Sequence, residues 1–219
     1  MRCQTIIAAA VGAAAVAEAI PHADRSLDIR SGLPEGYRAE PMRWTGVIEE
    51  DGPEVSFYGT IEEVTRQIQA TKKDFTWESL RRDLGDFATP HQKRDKADVI
   101  CGVGGEGVGK HGPLTTNVEG SRDKISKMPG NCAVAGGPRT CSVITCTNYA
   151  AVWLCNDNTE PIAPPCNSLA SYVDDIVGKC GQVKSHGHRF CRGQEFDSSN
   201  FNVIVGWKSQ CDPTSYTNS

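Results

Sequence analysis

The residues with chemistry to offer are few. His186 and His188 flank Gly187, and His111 is the only other histidine after residue 95. An imidazole titrates near neutral pH, so such a group can serve as general acid and base or bind copper. No Ser, Cys or carboxylate stands at a diagnostic spacing from these histidines, and they read as solvated loop residues with no catalytic role. Gly104-x4-Gly109-Lys110 imitates a phosphate-cradling loop, yet position 111 is His where a magnesium-binding hydroxyl is needed. It reads as a loop, and no cofactor is expected. Asp174-Asp175 reads as the solvated side of a helix, and Asn156-Asp157-Asn158 as a turn after a strand. Tyr172 and Trp207 read as core aromatics.

Cysteine is the stronger signal. Of ten Cys, Cys3 stands alone at the N-terminus, and nine fall between residues 101 and 211. These are Cys101, Cys132, Cys141, Cys146, Cys155, Cys166, Cys180, Cys191 and Cys211. No Cys-x-x-Cys pair occurs, so a structural zinc site is not expected. Dense Cys without metal spacing predicts a disulfide framework formed in an oxidising compartment. Nine is odd, so one thiol has no partner inside a monomer, and spacing does not single it out.

The N-terminus points to the same compartment. Arg2, an Ala-rich apolar run from Ile6 to Val16 and Ala17-Glu18-Ala19 read as a signal peptide over residues 1–19. The run is too short to span a bilayer, which takes ~20 residues of helix. A secreted, extracellular product with no membrane span follows. With 219 residues, a net charge of −4 and no basic stripe, the chain does not look like a nucleic-acid binder.

Residues 20–94 lack Cys and close on Lys93-Arg94. In an exported chain that dibasic pair is a processing signal for a kexin-type protease, and here it sits on the boundary between two compositions. The segment still reads as folded. Arg43–Ile48 and Val55–Tyr58 predict strands joined by Asp51-Gly52-Pro53. Thr60 and Glu63 form a capping box before Ile61, Val64 and Ile68 at helical spacing. Trp77-Glu78-Ser79-Leu80 predicts a helix running into Arg81-Arg82, which shields that second dibasic pair. The reading is a small α/β pro-domain over 20–94 and a mature Cys-rich domain over 95–219.

The Cys-rich part carries 11 Lys/Arg against 12 Asp/Glu, so a strong field is not its means of recognition. Its elements read as a strand near Val99–Val103, a helix from Thr115 or Thr116 to Met128, and strands at Cys141–Cys146 and Ala151–Cys155 turning at Asn148-Tyr149. Asn167-Ser168 then caps a helix with Leu169, Val173, Ile176 and Cys180 on one face, and Phe201–Trp207 forms a last strand. Two one-faced helices need an apolar sheet face. The expected class is α+β: a disulfide-stapled antiparallel sheet with two helices on one face, of split β-α-β type. Cys180 is expected to cross-link the layers with Cys146 or Cys155.

Gly130-Asn131-Cys132, the block Val143 to Asn158, the helix ending in Cys180 and Gly193–Phe196 followed by Phe201–Val205 resemble small Cys-rich secreted proteins of filamentous fungi. Trp44-Thr45-Gly46 and Gly59–Val64 resemble the pro-segments of their precursors. More distantly, the element order resembles the killer-toxin α/β sandwich used by some plant-pathogen effectors. Cys141, Cys166 and Cys191 depart from the first pattern. The resemblance implies an effector- or toxin-like protein that binds an extracellular or host protein or surface. The alternatives are a secreted hydrolase or ribonuclease using the loop histidines, and an antimicrobial killer-type toxin.

Processing is directly measurable. N-terminal sequencing of culture fluid from a host with a kexin-type protease should find an N-terminus at Asp95. Replacing Lys93 and Arg94 with Ala should abolish it.

Overall fold

The computed structural model describes Leu33, residues 36–85, 96–103, 112–181 and 183–209, and Cys211. Residues 1–19, Lys93-Arg94, His111 and the Gly104–Lys110 loop lie outside the described residues. Among the described residues the fold is mixed α/β with four disulfides.

The first half of the chain forms β1 (Arg38–Glu40), β2 (Arg43–Gly46), β3 (Val55–Tyr58), α1 (Ile61–Gln69) and α2 (Trp77–Asp83). The strand–strand–helix order expected from the sequence is present. The Thr60 hydroxyl accepts from the Glu63 N–H, and Glu63 Oε2 accepts from the Thr60 N–H at 2.7 Å. Such a cap contributes about 1 kcal/mol. Gly59 makes it possible. Its φ is +120°, and a Cβ there would stand 2.4 Å from Glu63 Oε2. Ile61, Val64 and Ile68 are buried together, and α2 carries Arg81 and Arg82 in its last turn.

The Cys-rich part supplies β4 (Lys96–Cys101), α3 (Thr115–Lys127), β5 (Asn131–Ala133), β6 (Thr140–Thr147) and β7 (Ala150–Asn156). A 3-10 turn at Cys166–Leu169 leads into α4 (Ala170–Cys180). The hairpin β8 (Val183–Ser185) and β9 (His188–Phe190) precedes β10 (Gly193–Asp197) and β11 (Phe201–Trp207). The sheet order is β1-β6-β7-β11-β10-β4. α3 packs on β6 and β7, and α4 on β4, β10 and β11.

Three expectations change. The large sheet is mixed, because β1 joins β6 in parallel while every other pairing in it is antiparallel. Asn167-Ser168 does not cap α4: Ser168 donates back to the Pro165 carbonyl, and a 3-10 turn occupies those residues. Trp207 is half-buried at the end of β11 and not a core residue, whereas Phe201 through Gly206 are all buried. Both faces of the large sheet are covered. Ile144, Val152, Leu154, Val203 and Val205 meet the helices, while Trp153, Ile204, Cys141, Cys146 and Cys155 pack with Leu33 and Tyr37 on the other side.

The two compositions share one core. Strand β2 lies between β3 and β5 in a second sheet, pairing Trp44 with Phe57 on one side and with Cys132 on the other. The Trp44 indole is fully buried and donates to the Pro129 carbonyl at 2.7 Å. Gly130 sits against it with φ +81°, and a Cβ there would meet the Thr45 carbonyl oxygen at 2.5 Å. Met42, Trp44, Ile61, Val64, Ile68, Phe75, Trp77 and Leu80 belong to the same cluster as Val118, Ile125 and Met128 of α3 and its end. Burying one such side chain stabilises by about 1.5–3 kcal/mol.

Trp44→Ala removes a buried ring and orphans the Pro129 carbonyl, so it should cost ~3–5 kcal/mol by urea titration. Tyr58→Ala, in which the lost side chain belongs to a residue 59% exposed, should stay within about 0.5 kcal/mol.

Candidate functional site

The cysteines resolve into four bridges: Cys101–Cys180, Cys132–Cys166, Cys141–Cys155 and Cys146–Cys211. Cys180 does link helix to sheet, but its partner is Cys101 on edge strand β4, not Cys146 or Cys155. Cys141 and Cys155 face each other across β6 and β7, which explains a pair only fourteen residues apart. The odd thiol is Cys191, buried, with its pKa pushed up to about 12 by that burial. A protonated, buried thiol is a poor nucleophile.

Of the three candidate histidines, His186 and His188 are among the described residues and sit on the β8–β9 hairpin. His186 and Gly187 form the tip of the β8–β9 hairpin, both with positive φ, and His186 Nδ1 lies 3.0 Å from the Ser185 hydroxyl. His186 and His188 are exposed. No cluster of three His, Cys, Asp or Glu side chains able to hold a metal is found among the described residues. Asn156 does organise a turn: its amide donates to the Ala135 and Glu160 carbonyls, and its oxygen accepts from the Asn158 N–H. Asp174 and Asp175 are on the outer side of α4 but not idle. Asp174 pairs with Arg122 at 3.1 Å and Asp175 with Lys96.

That last pair opens onto a cluster with no signal in the sequence. Lys96 Nζ lies 3.7 Å from Glu195 Oε2 and 4.6 Å from the centre of the Tyr172 ring. Tyr172 is core, as expected, and donates its hydroxyl to Asp197 at 2.5 Å. Glu195 is 2% exposed, and its Oε2 has no hydrogen-bond partner. Burial pushes its carboxyl up to about 7, against the pull of Lys96 and with some help from Asp175. Glu195 and Asp197 are two apart on β10, so they share a face; the face that α4 covers is the one that carries them.

A charged recess lies where the Cys-free residues meet the Cys-rich ones. A cavity of 460 Å³ is lined by Glu40, Glu63 and Arg66 from one side, and by Val143, the Cys146–Cys211 bridge and Lys208 from the other. The capping box holds Glu63, and Arg66 follows one turn later on α1. Lys208 leaves the end of β11 half-buried, and that burial pulls its amine below the usual lysine range while Glu63 opposes the shift. Two acids and two bases thus face an apolar floor. A shallower recess shares Glu63 and Arg66 and runs on to exposed Tyr58. Beside Lys208, Trp207 stacks on Tyr149 at 5.4 Å, and the Lys208 N–H donates to the Tyr149 carbonyl. Tyr149 is 44% exposed and holds φ +66° in the hairpin turn expected at Asn148-Tyr149. A bulky residue there is strained, and the strain aims its ring outward over Trp207.

A second, apolar cavity of 270 Å³ lies on the same seam, between Val47 and Leu84 on one side and Pro129, Gly130 and Pro165 on the other. No protein-family model, curated protein or solved structure matches the chain. Among the described residues, no helix is long and apolar enough to cross a membrane.

Glu195 gives a pH test with a definite sign. Its folded pKa stands above the ordinary carboxyl value, so its contribution is fully present below about pH 4.5 and lost as pH rises through about 7. Glu195→Gln should match the parent protein near pH 4 and exceed it by ~2–3 kcal/mol near pH 8. Urea titrations of both proteins across that range check it.

Proposed function

We propose that the protein is a secreted, effector- or toxin-like protein that acts by binding an extracellular or host protein, with the charged seam cavity and the Tyr149–Trp207 stack as its recognition surface. The observation that carries this reading is the cavity itself: paired acids and bases over an apolar floor, beside an exposed aromatic held in a strained turn. Such surfaces favour specific recognition of a partner carrying both charge and apolar area. Four bridges in 111 residues, from Cys101 to Cys211, fit an oxidising extracellular environment. The killer-toxin type of split β-α-β sandwich and maturation by a kexin-type protease at Lys93-Arg94 belong to the same proposal. A hydrolase would have to work through His186, whose contact is the neighbouring Ser185 hydroxyl, or through exposed His188. Glu195 is a better general acid by its pKa, but it is sealed under α4 and lines neither seam cavity.

Purified protein applied in a dose series to plant tissue and to microbial cultures gives the readout. Arg66→Glu with Lys208→Gln should shift the effective dose about tenfold or more, since charged anchors dominate such contacts. Secretion level and four intact bridges are matched first. His111, His186 and His188 changed together to Gln should leave the dose within ~3-fold, whereas loss of acid–base catalysis would cost ~10²–10⁴-fold.

A further inference from the structure

Residues 36–85 behave structurally as a missing third of the Cys-rich fold. They supply the middle strand of one sheet, since β2 pairs with β3 and also with β5. They supply an edge strand of the other, where β1 pairs with β6 from Arg38↔Thr140 to Glu40↔Ser142. Polar contacts cross the seam both in the core and at its surface. Trp44 donates to the Pro129 carbonyl. Glu62 Oε1 accepts from Lys124 at 2.9 Å and from the Thr145 hydroxyl at 2.6 Å, with its side chain 14% exposed. Glu78 pairs with Lys127 at 2.8 Å, which holds its carboxyl below the usual range through the hydrogen bond. Removing this segment would expose Cys132, Val118, Ile125 and Met128, and leave the β5 backbone and the Lys124 amine without these partners. Patches of that kind are characteristic of obligate interfaces, not of a surface built to stand free.

No covalent bond adds to this. Residues 36–85 contain no cysteine, and all four bridges lie between Cys101 and Cys211. We infer that cleavage after Arg94 does not release the N-terminal segment: the cut protein persists as a two-chain molecule in which 36–85 stays seated on the Cys-rich chain through β2–β5, β1–β6 and the Trp44 and Glu62 contacts. The segment is then a permanent subunit and not a discarded pro-domain. Both seam cavities keep both of their walls. The inference rests on the processing reading for its natural occurrence, but the retention itself does not.

Two arms separate these. Protein secreted by a kexin-competent host is run on a size-exclusion column at about 1 µM without denaturant or reductant, and the main peak is sequenced from its N-termini. Two N-termini in one peak, one of them Asp95, support both readings. A single N-terminus near residue 20 refutes processing alone. In the second arm a linker cleavable by a specific protease is inserted between Thr89 and Pro90 of a Lys93→Ala, Arg94→Ala chain, and cutting is taken to completion on a denaturing gel. The fragments should co-elute, with under a tenth free, and separate in urea. Fragments that elute apart, with the Cys-rich one retaining its near-ultraviolet dichroism, overturn the inference. Trp44→Ala should weaken the association of the cut fragments about 100-fold or more; should that variant not fold, Glu62→Ala should weaken it about tenfold. No change in either variant likewise overturns it.

Discussion

The Trp44 indole needs two things at once: an apolar enclosure for its rings and an acceptor for its N–H. Residues 20–94 supply one wall through Phe57 and Trp77, which contact the ring from β3 and α2. The acceptor is the Pro129 carbonyl, and it comes from the Cys-rich part, eighty-five residues away. A buried donor without that acceptor costs ~1–3 kcal/mol, so the two halves settle together. Once Trp44 is placed, β2 must lie beside β5, Gly130 must adopt positive φ to clear the Thr45 carbonyl, and the end of α3 is fixed over both. The capping box on α1 then aims Glu62 toward Lys124 and Glu63 toward the seam cavity.

Around that joint the large sheet is buried on both faces, which is unusual for a chiefly antiparallel sheet. The helices cover one side, and bridges do much of the work on the other, where Cys141–Cys155 and Cys146–Cys211 pack around Trp153 and Ile204. The remaining two bridges tie the edges: Cys101–Cys180 pins β4 to the end of α4, and Cys132–Cys166 pins β5 to the 3-10 turn. Each contributes ~2–4 kcal/mol by limiting the unfolded chain, a large term where large aliphatic side chains are few. Cys191 stays a free, buried thiol, and it donates weakly to the Ile176 carbonyl.

Charge is used locally. The Cys-rich part is nearly neutral, and beside the ion pairs of Arg122, Lys124 and Lys127 two groups of charges stand out, the Lys96–Asp175–Glu195 cluster at α4 and the Glu63, Arg66 and Lys208 side chains on the seam. In the first, one lysine serves two carboxylates, and the buried one gives way by holding its proton toward neutral pH. In the second, the amine of Lys208 loses hydration to burial and regains part of its charge preference from Glu63. The first cluster tunes stability with pH; the second lines an open recess on the seam.

The sequence by itself determined the local elements and the chemistry of the bridges. The Thr60–Glu63 capping box, the α4 face of Leu169, Val173, Ile176 and Cys180, and the Asn148-Tyr149 turn were legible because each depends on residues within a few positions of one another. So was the odd thiol, as arithmetic. What the tertiary structure alone decided was every relation between distant residues: which cysteines pair, which face of β10 carries Glu195 inward, and that Lys208 and Arg66 line one cavity. Strand β5, three residues long, has no pattern of its own and is held by hydrogen bonds from β2 on one side and from residues 162–165 on the other. The boundary at Lys93-Arg94 marks a change of composition, yet packing ignores it. Periodicity reports which side of an element is apolar; only the folded chain assigns that side a partner, because burial energy depends on area removed from water and not on where in the sequence the covering residues lie.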